Sequence, residues 1–201
     1  VRTVRTVVVS LAVVVVVGAV LGSKYGYVIP REHKAAAELF KGEQYFAKDS
    51  FALALNGNGA DYLGFEAIID EYGSTDAGNL AKAYAGISYF KMGETEKALD
   101  YLKAFSGSDN MISPAIVGLI GDCYVNMGDV KEGVSYFEKA AKAADNEVVS
   151  PVYLKKAGLA YENLKEYGKA VEAYKRIKEH YYNSMEAADI DKYITRAAAA
   201  K

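Results

Sequence analysis

Two hydrophobic regimes divide this chain. From Thr6 to Ser23 eighteen residues pass without a charge, TVVVSLAVVVVVGAVLGS, with nine Val between Val7 and Val20. As a helix at about 1.5 Å per residue the run covers roughly 27 Å, close to the hydrocarbon thickness of a bilayer. Val is a mediocre helix former in water, but lipid offers the backbone no other partner and enforces the helix. The pattern predicts a membrane anchor over residues 6–23, inside an N-terminal segment of residues 1–29. A cleaved signal segment would need a small-x-small site, which Ala19-Val20-Leu21 and Val20-Leu21-Gly22 match poorly. A buried strand needs far fewer residues. Tyr25 and Tyr27 follow where aromatic belts meet headgroups, and Pro30 is expected to break or kink the chain before a polar helix. Arg2 and Arg5 precede the run while Lys24, Arg31 and Lys34 follow it, so flanking charge gives no orientation. The chain begins with Val, and further residues are expected upstream.

Beyond the anchor the apolar positions recur at helical spacing within a longer period. The stretches AGISYFKMGETEKALDYL, IGDCYVNMGDVKEGVSYF and AGLAYENLKEYGKAVEAY superimpose without gaps, placing Gly86, Gly121 and Gly158 in register 35 and 37 residues apart. Tyr89, Tyr124 and Tyr161 follow three residues later. Ala98, Gly133 and Ala170 come twelve after the Gly, and Leu102, Phe137 and Tyr174 four later still. Gly and Tyr share one face of a first helix, and the second small residue lets a partner helix approach closely. The period therefore predicts helix hairpins. Gly93 and Gly128 stand where the first helices end, as left-handed caps require. Ser113-Pro114 and Ser150-Pro151 read as N-cap and first-turn Pro of the next two hairpins.

These stretches resemble tetratricopeptide repeats, whose small-x-x-Tyr and Ala-x-x-x-aromatic pattern they follow over residues 79 to about 185. Lys82, Val117 and Leu154 replace the usual Trp, and the closing Pro is missing. The resemblance implies an all-α fold: an N-terminal transmembrane helix, then an α-solenoid of antiparallel helix hairpins closed by a capping helix. Residues 79–183 would hold three repeats, and residues 31–78 a degenerate first hairpin. There Gly42 and Tyr45 reproduce the first-helix pair, and Gly64 with Ile68 the second, but 22 residues separate the glycines where the other units have twelve. The extra ten fall around residues 49–59, SFALALNGNG within them. That insertion reads either as a loop that covers the inner face or meets a partner, or as an extension of the hairpin tucked against its neighbour. Residues 184–201 would form the capping helix and tail, with Ser184 as cap and Met185, Ile190, Tyr193 and Ile194 on one side.

In this family the first helices line a concave groove, and the resemblance projects that groove onto the present chain. The positions are Leu80, Ile87, Phe90 and Lys91 in the first clear unit and Asp122, Val125 and Asn126 in the second. Lys155, Leu159, Glu162 and Asn163 follow in the third. Such a surface suits an amphipathic helix or an extended apolar peptide. It is equally open to a reading in which several of these side chains pack on the insertion or the terminal helix. The carboxylate clamp of chaperone-binding members is not expected, since Ala83, Ile87 and Leu119 occupy its places.

Charge and composition narrow the chemistry. The chain has 24 Lys and Arg against 26 Asp and Glu, and three of the bases but none of the acids fall in the first 29 residues. The remainder is therefore at −5, with no basic surface for nucleic acid. One cysteine, Cys123, excludes an internal disulfide and Cys-based zinc sites, and reads as a buried small hydrophobe. His33 and His180 have no ligand spacing. Carboxylate neighbours such as Asp70-Glu71 diverge on a helix. No nucleophile, base and orienter set is visible, so neither catalysis, cofactor nor metal is expected.

A single-pass anchor followed by a small repeat domain resembles the membrane-anchored tetratricopeptide proteins of bacterial envelopes, above all the ancillary-subunit family of the Sec translocon. That resemblance implies an inner-membrane scaffold with its repeats in the periplasm. Its partners would be proteins or peptides, among them translocated polypeptides, translocon subunits or periplasmic chaperones, with lipid around the N-terminal helix. The alternative is a structural subunit of a larger division, cell-wall or secretion complex.

Overall fold

The computed structural model describes the backbone of residues 2–200 and the side chains of residues 12–200. Val1, Lys201 and the side chains of Arg2 and Arg5 lie outside the described residues. All regular structure among the described residues is helical, and the chain divides into two compact units, residues 1–84 and 85–201.

In the first unit, α1 (Arg2–Ser23) passes through a π-helical turn (Lys24–Val28) into α2 (Ile29–Phe46) without interruption. Pro30 therefore does not end the helix as the sequence suggested. Pro lacks an N–H and crowds the carbonyl four residues back. The π turn shifts the register just before it: the Ile29 N–H reaches the carbonyl of Lys24, five residues earlier. Pro30 then sits in the first turn of α2, directly after that register shift. Val13–Val17, Val20 and Leu21 are all exposed. Residues Ala12–Phe46 form a helix long and apolar enough to cross a membrane.

Against α2 pack α3 (Phe51–Asn56) and α4 (Phe65–Tyr72), around buried Leu39, Leu55, Phe65 and Ile68. The inserted segment is α3 plus a tight loop. Asn58 Oδ1 accepts from the backbone N–H groups of Ala60, Asp61 and Tyr62 at 3.0–3.1 Å, while the Tyr62 hydroxyl donates to the Ala54 carbonyl at 2.6 Å. Its apolar residues Ala54 and Leu55 are thus built into the first hairpin itself. The degenerate register departs from the expected one. Gly42 faces the Phe65 ring and the Tyr62 hydroxyl instead of Ile68, and Gly64 adopts φ +96° at the N-terminus of α4, a turn position closed to most side chains. The carboxylate of Glu32 on α2 accepts from the N–H groups of Asp76 and Ala77, both at 2.9 Å. It thereby caps α5 (Asp76–Lys91), the helix that continues into the second unit.

The second unit stacks α6 (Thr95–Ala104), α7 (Ile112–Asn126), α8 (Val130–Ala144), α9 (Ser150–Asn163) and α10 (Tyr167–His180) in sequence, each against the next. A 3₁₀ turn (Glu186–Asp189) and α11 (Ile190–Ala199) close it, burying Ile190 and Ala197 against α10. Met185, expected on that buried side, projects into solvent instead, because the helix begins only at Ile190. Within each hairpin the register glycine meets one large side chain of the partner helix: Gly86 meets Leu102, Gly121 meets Phe137 and Gly158 meets Tyr174. A Cβ on Gly121 would stand 2.7 Å from the Phe137 ring, and one on Gly86 2.6 Å from Leu102. Two of the three tyrosines that follow stack across the same seam, Tyr89 on Tyr101 at 5.5 Å and Tyr124 on Tyr136 at 5.3 Å between centroids.

Helix starts precede the expected ones by two residues in α7 and one in α9. Ser113 is the second residue of its helix and Ser150 the first, with each Pro in the first turn as expected, and the side chains that cap the N–H groups lie four residues before each Ser. Asp109 accepts from the N–H groups of Met111, Ile112 and Ser113, and Asn146 Oδ1 from those of Val148 and Val149. The Ser113 hydroxyl hydrogen bond, with those backbone donors, pulls the Asp109 carboxyl down to about 2. Buried Ser150 instead donates to the Ala141 carbonyl at 2.8 Å, fastening α9 to α8.

Two substitutions test the hairpin geometry by chemical unfolding. Gly158→Ala forces a methyl against the fully buried Tyr174 ring and should destabilise by about 1–3 kcal/mol. Gly93 and Gly128 end their helices at φ +82° and +87°, but Lys165 occupies the equivalent turn at +60°. Lys165→Gly should relieve that penalty and stabilise by about 0.5–1 kcal/mol.

Candidate functional site

The projected groove positions separate into three groups. Leu80 lies on α5 in the first unit, half-buried. In the second unit, Ile87 and Phe90 are half-buried and Lys91 exposed at the end of the same helix. None of these lines the cleft formed further along. There, Asp122 and Val125 of α7 and Leu159 and Asn163 of α9 face a cavity of about 290 Å³, with Asn126 exposed at the end of α7. Val130 and Phe137 of α8 also line the cleft.

The walls carry one fixed ion pair. Lys156 Nζ lies 2.6 Å from Asp122 Oδ2 and over the rings of Tyr153 and Phe137, at 5.5 and 5.7 Å from their centroids. Tyr153 closes the inter-helix seam by lying over Gly118 and donating to the Ala115 carbonyl at 3.0 Å. Burial, with the Asp122 charge behind it, pushes its hydroxyl up to about 12, so it stays a donor. The site is thus an apolar cleft, floored by Phe137 and edged by an ion pair whose members are 34 residues apart. It can accept an apolar side chain and offers hydrogen-bonding carboxylate and ammonium groups at one rim.

The remaining third-unit positions are already engaged. Lys155 pairs with Asp189 at 2.9 Å and lies over the Tyr193 ring. Glu162 receives Arg196 Nη2 at 2.7 Å, Arg196 Nε at 2.9 Å and the Tyr174 hydroxyl at 2.6 Å. Both side chains therefore hold the C-terminal turn and α11 in place. Burial raises the Glu162 carboxyl, but the Arg196 and Tyr174 hydrogen bonds outweigh it and hold it below its ordinary value.

Lys156, Phe137, Val130, Tyr153 and Gly118 escaped the sequence projection. Phe137 and Val130 belong to a second helix, whereas the projection followed first helices only. Lys156 had a readable signal, an opposite charge one repeat earlier. Cys123 is buried, and its thiol is pushed up to about 11 by burial and then by the Asp122 charge, which suppresses the thiolate. Among the described residues, no three His, Cys, Asp or Glu side chains are grouped as a metal site would need.

Two models of the tetratricopeptide repeat match the second unit and its approach, one at residues 115–147 and the other at 84–106 and 154–184. The chain carries tetratricopeptide repeats. A search of curated proteins gives no match. Among solved structures, the chain is similar to a putative kinesin light chain from Podosopora anserina with nearly identical TPR-like repeats, and to a substituted form of that same protein. Each is 13% identical with a TM-score of 0.61, over 83% of this chain and 86% of that one. The MamA protein is similar at 18% identity and a TM-score of 0.56, over 83% of this chain and 91% of that one. These likenesses show the solenoid fold. Repeats of this kind are protein–protein interaction scaffolds, typically without catalysis.

The cap interaction has a definite pH signature. A carboxyl held below its ordinary value contributes stability that is full above that value and is lost as pH falls through the folded one. Arg196→Ala should therefore cost about 1 kcal/mol at neutral pH. The gap to the unsubstituted chain should close in acid as Glu162 protonates, when urea midpoints of the two are compared across pH.

Proposed function

We propose that this protein is a membrane-anchored, non-enzymatic tetratricopeptide scaffold of the bacterial envelope, held in the inner membrane by its N-terminal helix with the repeats in the periplasm. Its clients are polypeptides emerging from the Sec translocon or the chaperones that receive them. The observation that carries this reading is the cleft: an apolar floor at Phe137 and Val130 with exposed Leu159 at its edge, on the same chain as a helix of exposed Val residues. A cleft of this size takes one or two apolar side chains, which suits weak and varied peptide capture. Tethering to the membrane would raise its local concentration at the exit site, so weak affinity would suffice. Ile87, Phe90 and Lys91 would extend the contact surface along α5.

Photo-crosslinking in membranes, with probes replacing Phe90, Leu159 and Leu53, tests this directly. The expected outcome is a spectrum of envelope polypeptides together with translocon or chaperone adducts at Leu159, reduced when Val125→Glu places a charge in the cleft. A single stoichiometric adduct with an unrelated envelope complex, indifferent to Val125, would make the protein a structural subunit instead.

A further inference from the structure

Besides the cleft, the second unit exposes a row of apolar side chains along its inter-repeat turns. Met111, Val148 and Met185 recur at a spacing of 37 residues, the same spacing as Asp109 to Asn146 and Ser113 to Ser150. Each stands in the turn that leads into a first helix or its equivalent, and their exposure rises along the row, 44%, 63% and 90%. Ile112 and Tyr182 widen it.

The turns are fastened to one another. Asn146 Nδ2 donates to the Asn110 carbonyl at 2.7 Å and approaches the Met111 sulfur at 3.7 Å, and the Tyr181 hydroxyl donates to Asp145 at 3.3 Å. The three apolar side chains therefore stand on adjoining turns. Folding of the chain itself does not require Met185 there, since it buries almost nothing and a polar residue would hold the same turn. Three exposed apolar residues in register, two of them Met, are the chemistry a docking edge would offer.

Charge identifies the occupant. The three turns, residues 105–113, 145–149 and 181–187, hold Asp109, Asp145, Glu147 and Glu186 and no Lys or Arg. Of the nearby lysines, Lys178 is neutralised by Asp191, while Lys103, which donates to the Tyr124 hydroxyl, and Lys142 keep their charge, so four acids stand against two lysines. An anionic lipid surface would be repelled by this edge, and a second copy would set acid against acid. We propose that the Met111–Val148–Met185 edge docks a cationic amphipathic segment of a partner protein, in which apolar side chains alternate with Lys or Arg. This surface is separate from the cleft and does not depend on the reading given to it.

The four methionines supply the test, since Met92 and Met127 end first helices while Met111 begins one, about 24 Å from Met127 along α7. The full chain, ¹³C-methyl-labelled at Met and held in phosphatidylcholine nanodiscs, would be titrated with a Lys/Leu amphipathic peptide and separately with a Glu/Leu counterpart. Saturable movement of the Met111 and Met185 methyl resonances by the Lys/Leu peptide alone, with Met92 and Met127 unmoved, is the expected result. Val148→Ser, at an exposed position, should weaken that binding several-fold. Salt at about 0.5 M, where the screening length falls below about 5 Å, should weaken it likewise. Equal response to the Glu/Leu peptide or movement of all four methyls would overturn the proposal. So would Met111 and Met185 shifts that follow protein concentration or bilayer charge without peptide, which would assign the edge to self-association or lipid.

Discussion

The close approach of two helices across a glycine governs this solenoid. A large side chain at Leu102, Phe137 or Tyr174 lies where any Cβ on Gly86, Gly121 or Gly158 would stand. The pair fixes both the separation and the rotation of each hairpin. In the first two hairpins the tyrosines one turn on then stack, Tyr89 with Tyr101 and Tyr124 with Tyr136, whereas Tyr161 has Ala173 at that place and donates to Glu138. Phe137 then serves twice. One side of its ring locks Gly121, and the residue also lines the cleft between α7 and α9. Cleft and hairpin seam thus share a side chain, which ties cleft shape to the packing density of the core.

The ends of the helical stack need different devices, because a terminal hairpin has no following repeat to cover it. At the C-terminus α11 lays Ile190 and Ala197 on α10, and the Arg196–Glu162 and Lys155–Asp189 pairs hold it there. The same pairs withdraw two charged positions from any peptide surface, so the cleft is more apolar than the charges along α9 suggest. In the first unit, Glu32 caps α5 while the π turn carries the long helix past Pro30. Both arrangements turn a backbone deficit, unpaired N–H groups in one case and a missing N–H in the other, into a defined junction.

Much of the fold was legible. The register of Gly, Tyr and large residues predicted the seams because helical repeats place equal demands at equal intervals, and a demand for no Cβ leaves only one residue type. The caps were misplaced by four residues because Ser-Pro is a common start signal, whereas Asp109 and Asn146 are recognised only when their loops close back on the helix N–H groups. Met185 looked like a core residue by its neighbours, yet a 3₁₀ turn precedes the helix and changes which side it faces. Gly64 looked like a repeat glycine but serves a positive-φ turn.

For this protein, sequence alone determined the helix hairpins, their period, the apolar N-terminal helix and the small residues at each seam, since these rest on local spacing and steric size. Tertiary structure decided which projected groove residues meet: Asp122, Val125, Leu159 and Asn163 line one cleft, while Lys155 and Glu162 are taken by the C-terminal cap. It also decided that Phe137 and Val130 of a second helix line that cleft. Such choices depend on distances between residues tens of positions apart, which packing sets and a linear pattern does not contain.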